Sequence, residues 1–565
     1  LAGVVHGAAG LRGVTLGDTL LASLRRLRGG PLFRWRFTGF RPSQILVIPP
    51  DLHLADPALA HEFYHGRFPL AGRVVRVGPH SPFMVEPPSG GWETALHDFG
   101  WLRHLAAVGT ELADAHARAL VSDWIAVCGK RINGAPWRGD VTARRVIAWL
   151  SHADMMLHRA PAAFEKRFLK MLGMQVRYLR TVIAGMAKNE GRLQAAIALA
   201  LAALALPVPA GISRRARSVL EREIRRQILP DGGLQSRNPA MMLAILADLI
   251  ALQQCYGESN QTPSPLLMAA IDRMLPALRF FRHGDGALAN FNGVGPMLSE
   301  RLEMVLAQDD TDAVPFTHAP YSGYQRLVSG QTTVIADIGA PPPRACSCQA
   351  NAGCLSFEMS SGAHRFIINC GIDPFGQQDF RFLGRLTAAH STMTLNNTSS
   401  CHFRHGGRLD GAVLDGPRTV RFEEVEEKNS RGFIASHDGY RRNFGLLHQR
   451  SMLLDSSGDI LQGRDCFLAA DGVSAPANPR DEAAIRFHLH PDVRVRYREH
   501  QTAPVLELTQ DGGDTWLFSA DSDIFLEDSI CFSSLEGPVR TRQIVLALRP
   551  AGQPRVNWIF HRAGS

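Results

Sequence analysis

The stretch SGYQRLVSGQTTVIADIG, Ser322–Gly339, marks the place where the chain changes its hydrophobic rhythm. Upstream of it, apolar residues recur at three and four, as in Trp101, Leu102 and Leu105, or Val146, Trp149 and Leu150. Phe168, Leu169, Leu172, Val176 and Leu179 repeat the pattern. The runs Leu193–Leu206, Val219–Ile228, Met241–Leu252 and Leu266–Phe281 extend it, separated by Gly191, Pro207–Pro209, Pro230–Gly232 and Gly257–Pro265. Such a series predicts antiparallel helical hairpins packed in a layer or a ring. Downstream, Thr332–Ile338, Cys354–Met359, Arg365–Ile368, Ser391–Leu395, Ala484–His490, Val493–Tyr497, Val505–Leu508, Trp516–Ser519 and Gln543–Leu548 read as short strands between turn residues. Helices first and strands second imply two domains joined near residues 300–325. The predicted division is a mixed arm over 1–90, a helical domain over 91–310 and a β-sandwich over 320–565. Within the arm, Ile45–Ile48 is strand-like and His65–Val75 reads as a strand or loop pair.

Composition narrows the function classes. With 565 residues the chain exceeds one core, and 45% hydrophobic residues is an ordinary globular share. Lys and Arg number 61 against 53 acidic residues, a net charge of +8. That balance suits a polyanion and equally suits plain solubility. The apolar run Ala195–Leu206 is too short to span a bilayer. Leu1–Arg28 lacks the order of a secretory leader, since Arg25, Arg26 and Arg28 follow its apolar part. The expected location is therefore cytoplasmic. Nine scattered Cys fit a reducing compartment better than a disulfide framework. Cys346, Cys348 and Cys354 are spaced too irregularly for a zinc ribbon. No phosphate-cradling loop, dinucleotide fingerprint or nucleophile elbow is present, and no nucleic-acid partner is expected.

Four segments concentrate polar chemistry. Asp231-Gly232-Gly233 leads to Ser236-Arg237-Asn238-Pro239, where Arg237 and Asn238 stand ready to hold a carboxylate; Asn before Pro is equally a helix N-cap. His283-Gly284-Asp285-Gly286 with Phe291-Asn292-Gly293 is a Gly-rich loop of unusual polar density. Thr387-Ala388-Ala389-His390 opens a strand through a His. The last group joins His437-Asp438-Gly439-Tyr440 to Arg486-Phe487-His488-Leu489-His490, where alternation sets His488 and His490 on one sheet face.

Taken in this order, and with Gly353–Gly371, these segments resemble the heparinase II/III-like family over roughly residues 90–560. The resemblance implies an α+β multidomain fold: an N-terminal incomplete (α/α) toroid followed by a C-terminal antiparallel β-sandwich. It also implies an interdomain cleft for an acidic polysaccharide or oligosaccharide. Family enzymes cleave uronate polymers by β-elimination. An amide, His or Arg stabilises charge on the carboxylate, a Tyr or His removes the C5 proton, and a Tyr protonates the leaving oxygen. Carried over, Asn238 matches the carboxylate-neutralising residue and His390 a sandwich His. His283 is a second candidate base and Tyr324 the candidate acid, because Phe291 stands where the family carries its phenol. Arg237, Asp285, Asn292, Tyr440 and His488 are the expected substrate contacts. No redox cofactor is required. The sandwich metal of some relatives has poorly kept ligands here, with Asn351 and Gly353 in that stretch, and no metal ligand is assigned. Many relatives work in the periplasm, which is the alternative location. A non-catalytic glycan-binding protein and a hydrolase using Asp285 are the rival readings.

Overall fold

The computed structural model describes residues 36–78, 80–309, 314–373, 376, 378–407, 409–469, 478–498 and 504–564. The leader reading of Leu1–Arg28 lies outside the described residues. After a short helix, Pro57–Tyr64, and the hairpin Arg67–Leu70/Arg73–Arg76, helices follow one another from Gly90–Asp98 to Ser299–Leu306. Strands begin at His318–Ala319 and end at Arg555–Arg562. The chain is thus a helical toroid followed by an antiparallel β-sandwich.

The helices begin where side chains relieve orphan backbone amides. Ser89, Thr110, Asn238 and Ser264 each accept from the third following N–H at 3.0–3.3 Å. Glu190–Ala205 is apolar on nearly every face because it is enclosed by Gly139–Ser151, Ala210–Gln227 and Pro239–Glu258. Among the described residues one helix, Pro239–Glu258, is long and apolar enough to cross a bilayer. Within its most apolar window 67% is buried inside the protein. The strand-like Ile45–Ile48 forms no strand. It runs extended across the toroid, with the Leu46 amide on the Ala205 carbonyl and Val47 in the helical core.

The sandwich has two antiparallel sheets. One runs Val420–Glu427, Ser430–His437, Leu446–Asp455, Ile460–Ala469, Arg555–Arg562, Trp516–Ala520, Val505–Thr509, Arg494–Arg498. The other runs Ile524–Cys531, Val539–Leu548, Ala483–Leu489, His364–Ile368, Phe357–Ser361, Thr332–Asp337, Tyr324–Ser329, His318–Ala319, with Met393–Leu395 also paired to Ala483–Leu489. Between them Phe357 stacks on Trp558 at 5.6 Å, and Phe487 meets Phe518 at 5.3 Å. The four consecutive strands from Val420 to Ala469 escaped the sequence pattern for a physical reason. The inward positions of Leu446–Asp455 include His448 and Arg450, which both bind the fully buried Asp465. A buried ion cluster therefore occupies positions where alternation leads one to expect apolar residues.

Candidate functional site

The polar motifs gather at the boundary of the two domains, but most of them face protein. Arg237 adopts a left-handed backbone (φ 60°) that turns its guanidinium into the sandwich. It donates to the carbonyls of Ser322 (2.6 Å), Gly323 (2.8 Å), Gly339 (3.2 Å) and Ala340 (3.0 Å), and to Asp337 Oδ1 at 2.6 Å. A Cβ on Gly339 would lie 2.6 Å from that guanidinium, so only Gly leaves room for it. Tyr324 is fully buried under the same guanidinium, 4.5 Å from its ring. Its hydroxyl donates to the Arg237 carbonyl (2.8 Å) and accepts from Asn292 Nδ2 (2.6 Å). Burial pushes the phenol well above its ordinary pKa. Asn292 also accepts from the Asn351 amide at 3.0 Å.

The second loop continues this seam. His283 contacts Ser360 Oγ at 2.9 Å and Glu358 at 3.3 Å, and burial lowers its pKa. Asp285 pairs with Arg365 at 2.8 Å. Between them Gly284 comes so close to the Gly362 carbonyl that a Cβ would sit 1.9 Å from it. His390 is buried inside the sandwich, Nδ1 on the Leu386 carbonyl at 2.8 Å, with its pKa pushed down to about 4 by burial. His488 is held between Ser529 Oγ (2.7 Å) and the Ala388 carbonyl (3.0 Å), its pKa pushed down to about 3. Tyr440 donates to the Met393 carbonyl at 2.9 Å in the sandwich core.

The expectation that Arg237, Asn238, His283 and His390 line one cleft is therefore corrected: of the four, Asn238 alone lines it. The others satisfy their polar groups against the opposite domain or within the sandwich, and Tyr324 does the same. The metal set implied by the resemblance does not assemble. A Cβ on Gly353 would meet the His390 ring at 2.7 Å, leaving no room for a carboxylate there. His390 Nε2 and Asn351 Oδ1 have no partner among the described residues. Among those residues no group of three or more His, Cys, Asp or Glu is placed to hold a metal ion.

The cleft lies between the toroid and the sandwich loop Ala345–Gln349, with a volume of about 1100 Å³. Tyr178, half-buried with Trp137 packed behind it, supplies aromatic surface; Asn133, Asn189, Gln194, Asn238 and Gln349 supply carboxamides. Asn238 Oδ1 caps the Met241 amide, and Nδ2 donates to Gln349 Oε1 at 2.9 Å. Among the described residues Nδ2 has no second partner, which leaves one of its two amide hydrogens for a ligand. Asp140, paired with Arg138, and Glu190 bring carboxyl groups to the wall. Glu190 has its pKa raised by burial, with the Ser236 hydroxyl pulling the other way. Sequence reasoning singled out neither carboxyl. The only signal was their place in the first turns of helices that begin beside Gly139 and Gly191.

Residues 311–559 match the model of the heparinase II/III-like C-terminal domain family. FtsZ-localized protein C of Caulobacter vibrioides (strain NA1000 / CB15N) is 31% identical over 535 residues, covering 93% of this chain and 91% of that protein. The fold is shared with heparinase III (TM-score 0.70, 12% identity, 97% of this chain and 91% of that one). It is shared also with heparan sulfate lyase HepC from Pedobacter heparinus (TM-score 0.58, 17% identity, 97% and 90%). The toroid, the sandwich, the ordered motifs and these matches agree: this chain belongs to the heparinase II/III-like family and has its polysaccharide-lyase-like fold.

Proposed function

We propose that the chain binds a stretch of polysaccharide in the interdomain cleft and acts as a glycan-binding protein that localises with FtsZ. The observation that carries this reading is the cleft itself. About 1100 Å³ accommodates several sugar rings, and its wall combines the half-buried Tyr178 ring with five carboxamides. Hydroxyl-rich ligands need that mixture of stacking and neutral hydrogen-bonding groups. The name of the Caulobacter relative, FtsZ-localized protein C, supports the FtsZ association, and the cytoplasmic placement expected from the sequence is part of this proposal. Acidic glycans are the favoured class, in keeping with the charge of +8. The experiment is calorimetric titration of the purified chain with heparan sulfate, hyaluronan, alginate and chitin oligosaccharides. Saturable binding weakened by Asn238→Ala and by Gln349→Ala supports the reading; no binding to any of them overturns it.

A second reading, uronate β-elimination in the same cleft, is favoured by the spare amide hydrogen of Asn238. That group could steady charge on a uronate carboxylate. The base and acid would then have to come from the cleft wall, because His283, His390 and Tyr324 are enclosed. Ultraviolet absorbance of an unsaturated product, followed during the same titrations, tests it; its absence with every glycan that binds removes this reading.

A further inference from the structure

We propose that copies of this chain associate head to tail through the two open edges of one sandwich sheet, the acidic edge of one copy against the basic edge of the next. That sheet ends in Val420–Glu427 on one side and Arg494–Arg498 on the other. Among the described residues neither strand has a second neighbour, so the outward N–H and C=O groups of both are open to another strand. The first carries Glu423, Glu424, Glu426 and Glu427 against Arg421, a net −3. The second carries Arg494, Arg496 and Arg498 and no acid, a net +3. Like charges along an edge keep it from pairing with its own kind. Opposite signs on the two edges of one sheet remove that bar between unlike edges.

Direction and register agree with the charges. Every neighbouring pair in this 8-stranded sheet is antiparallel, so its two edge strands run in opposite directions. A copy displaced along the sheet, and turned by its twist, therefore brings its basic edge antiparallel to the acidic edge and continues the ladder. Val420, Phe422 and Val495 pack toward the sandwich core. Alternation then sets Glu423, Val425 and Glu427 on the outer face of one edge, and the three Arg on the outer face of the other. One antiparallel register places Arg494 opposite Glu427, Arg496 opposite Val425 and Arg498 opposite Glu423, with Arg421 beyond the paired segment. All of these charged residues are exposed. Arg494 and Arg498 each hold a carboxylate of the adjoining strand, Asp511 and Glu507, and a guanidinium has further N–H donors for a second. Because the two edges differ, the contact does not close on itself at two copies and builds an open chain of subunits. Its area is small, so association is weak and rises with concentration.

The test is sedimentation equilibrium of the full chain over a range of concentrations, at low salt and at about 1 M salt, where charges are screened within about 3 Å. Expected is a mean mass that climbs past the dimer with concentration at low salt and returns to the monomer at high salt. Glu423→Lys with Glu427→Lys should weaken association roughly tenfold or more at an unchanged melting temperature, because like charges then face each other. Arg494→Glu with Arg498→Glu should do the same. Combining all four substitutions in one chain exchanges the signs of the two edges and should restore association. Glu423→Gln with Glu427→Gln, which removes charge without reversing it, should weaken association less than the lysine pair. A monomer under every condition, a species that stops at the dimer, or association that ignores salt overturns the proposal. So does wild-type association in either folded reversal, or no recovery in the folded fourfold variant.

Discussion

Arg237 and Asn238 are consecutive residues, yet they belong to two regions that behave differently, the seam between the domains and the cleft beside it. In the seam, Arg237, Asn292, Tyr324 and Asp337 spend their hydrogen bonds on one another and on backbone carbonyls. In the cleft, Asn238 keeps one amide hydrogen uncommitted, and Asp140 and Glu190 stand at the wall. Both regions are polar and both lie between the domains. What separates them is whether the protein itself already satisfies the polar groups. Density of His, Asn and Arg in a motif therefore marks a joint as readily as it marks a ligand site.

The largest effect belongs to the seam. Arg237→Met strands the buried Asp337 carboxylate, and breaking a buried pair in this way costs about 3–5 kcal/mol. Chemical denaturation should show that loss, with part of it recovered in the double variant with Asp337→Leu. Wild-type stability after Arg237→Met would break the distinction between seam and cleft.

Acid should also act on the enclosed residues first. His390 and His488 are held neutral by burial, with pKa values lowered from 6.5 to about 4 and about 3. The unfolded chain binds protons at these positions below about pH 6.5, where the folded chain does not. Stability therefore falls as pH drops from 6.5 toward 4. Melting temperature against pH checks this, and His390→Phe should flatten part of the slope. A curve unaffected by that substitution would remove His390 from the account.

Smaller effects sharpen the comparison. Tyr324→Phe leaves Asn292 Nδ2 and the Arg237 carbonyl without their partner, at about 1–3 kcal/mol, and should leave glycan affinity per folded molecule unchanged. Asn238→Ala loses a helix cap worth about 1 kcal/mol. It should in addition weaken glycan binding roughly two- to tenfold, the equivalent of one hydrogen bond. Equal effects of both variants on affinity would merge seam and cleft into a single site.

The two-domain order was legible because hydrophobic period is a local property. Glu190–Ala205 and Pro239–Glu258 announce themselves through their own apolar residues, and Ser322 marks the change to strands. The strands of residues 420–469 were not legible, because Val420–Glu427 is an exposed edge rich in Glu, and His448, Arg450 and Asp465 take inward positions. In the site, Asn238 was legible from its motif. The fate of Arg237 was not, since a positive φ at a non-Gly residue decides which way its side chain leaves the chain. Asp140 and Glu190 were hidden for another reason. They are fifty residues apart in sequence and become one wall only when their helices pack.

The central claim is that ligand enters the cleft and does not reach the motif-rich seam. Hydrogen exchange on the full chain, with and without a saturating glycan, tests it most directly. The account predicts new protection in residues 132–140, 185–194 and 345–349, with residues 283–293 and 387–393 unchanged. Protection confined to 283–293 and 387–393 would contradict it and return the site to the seam.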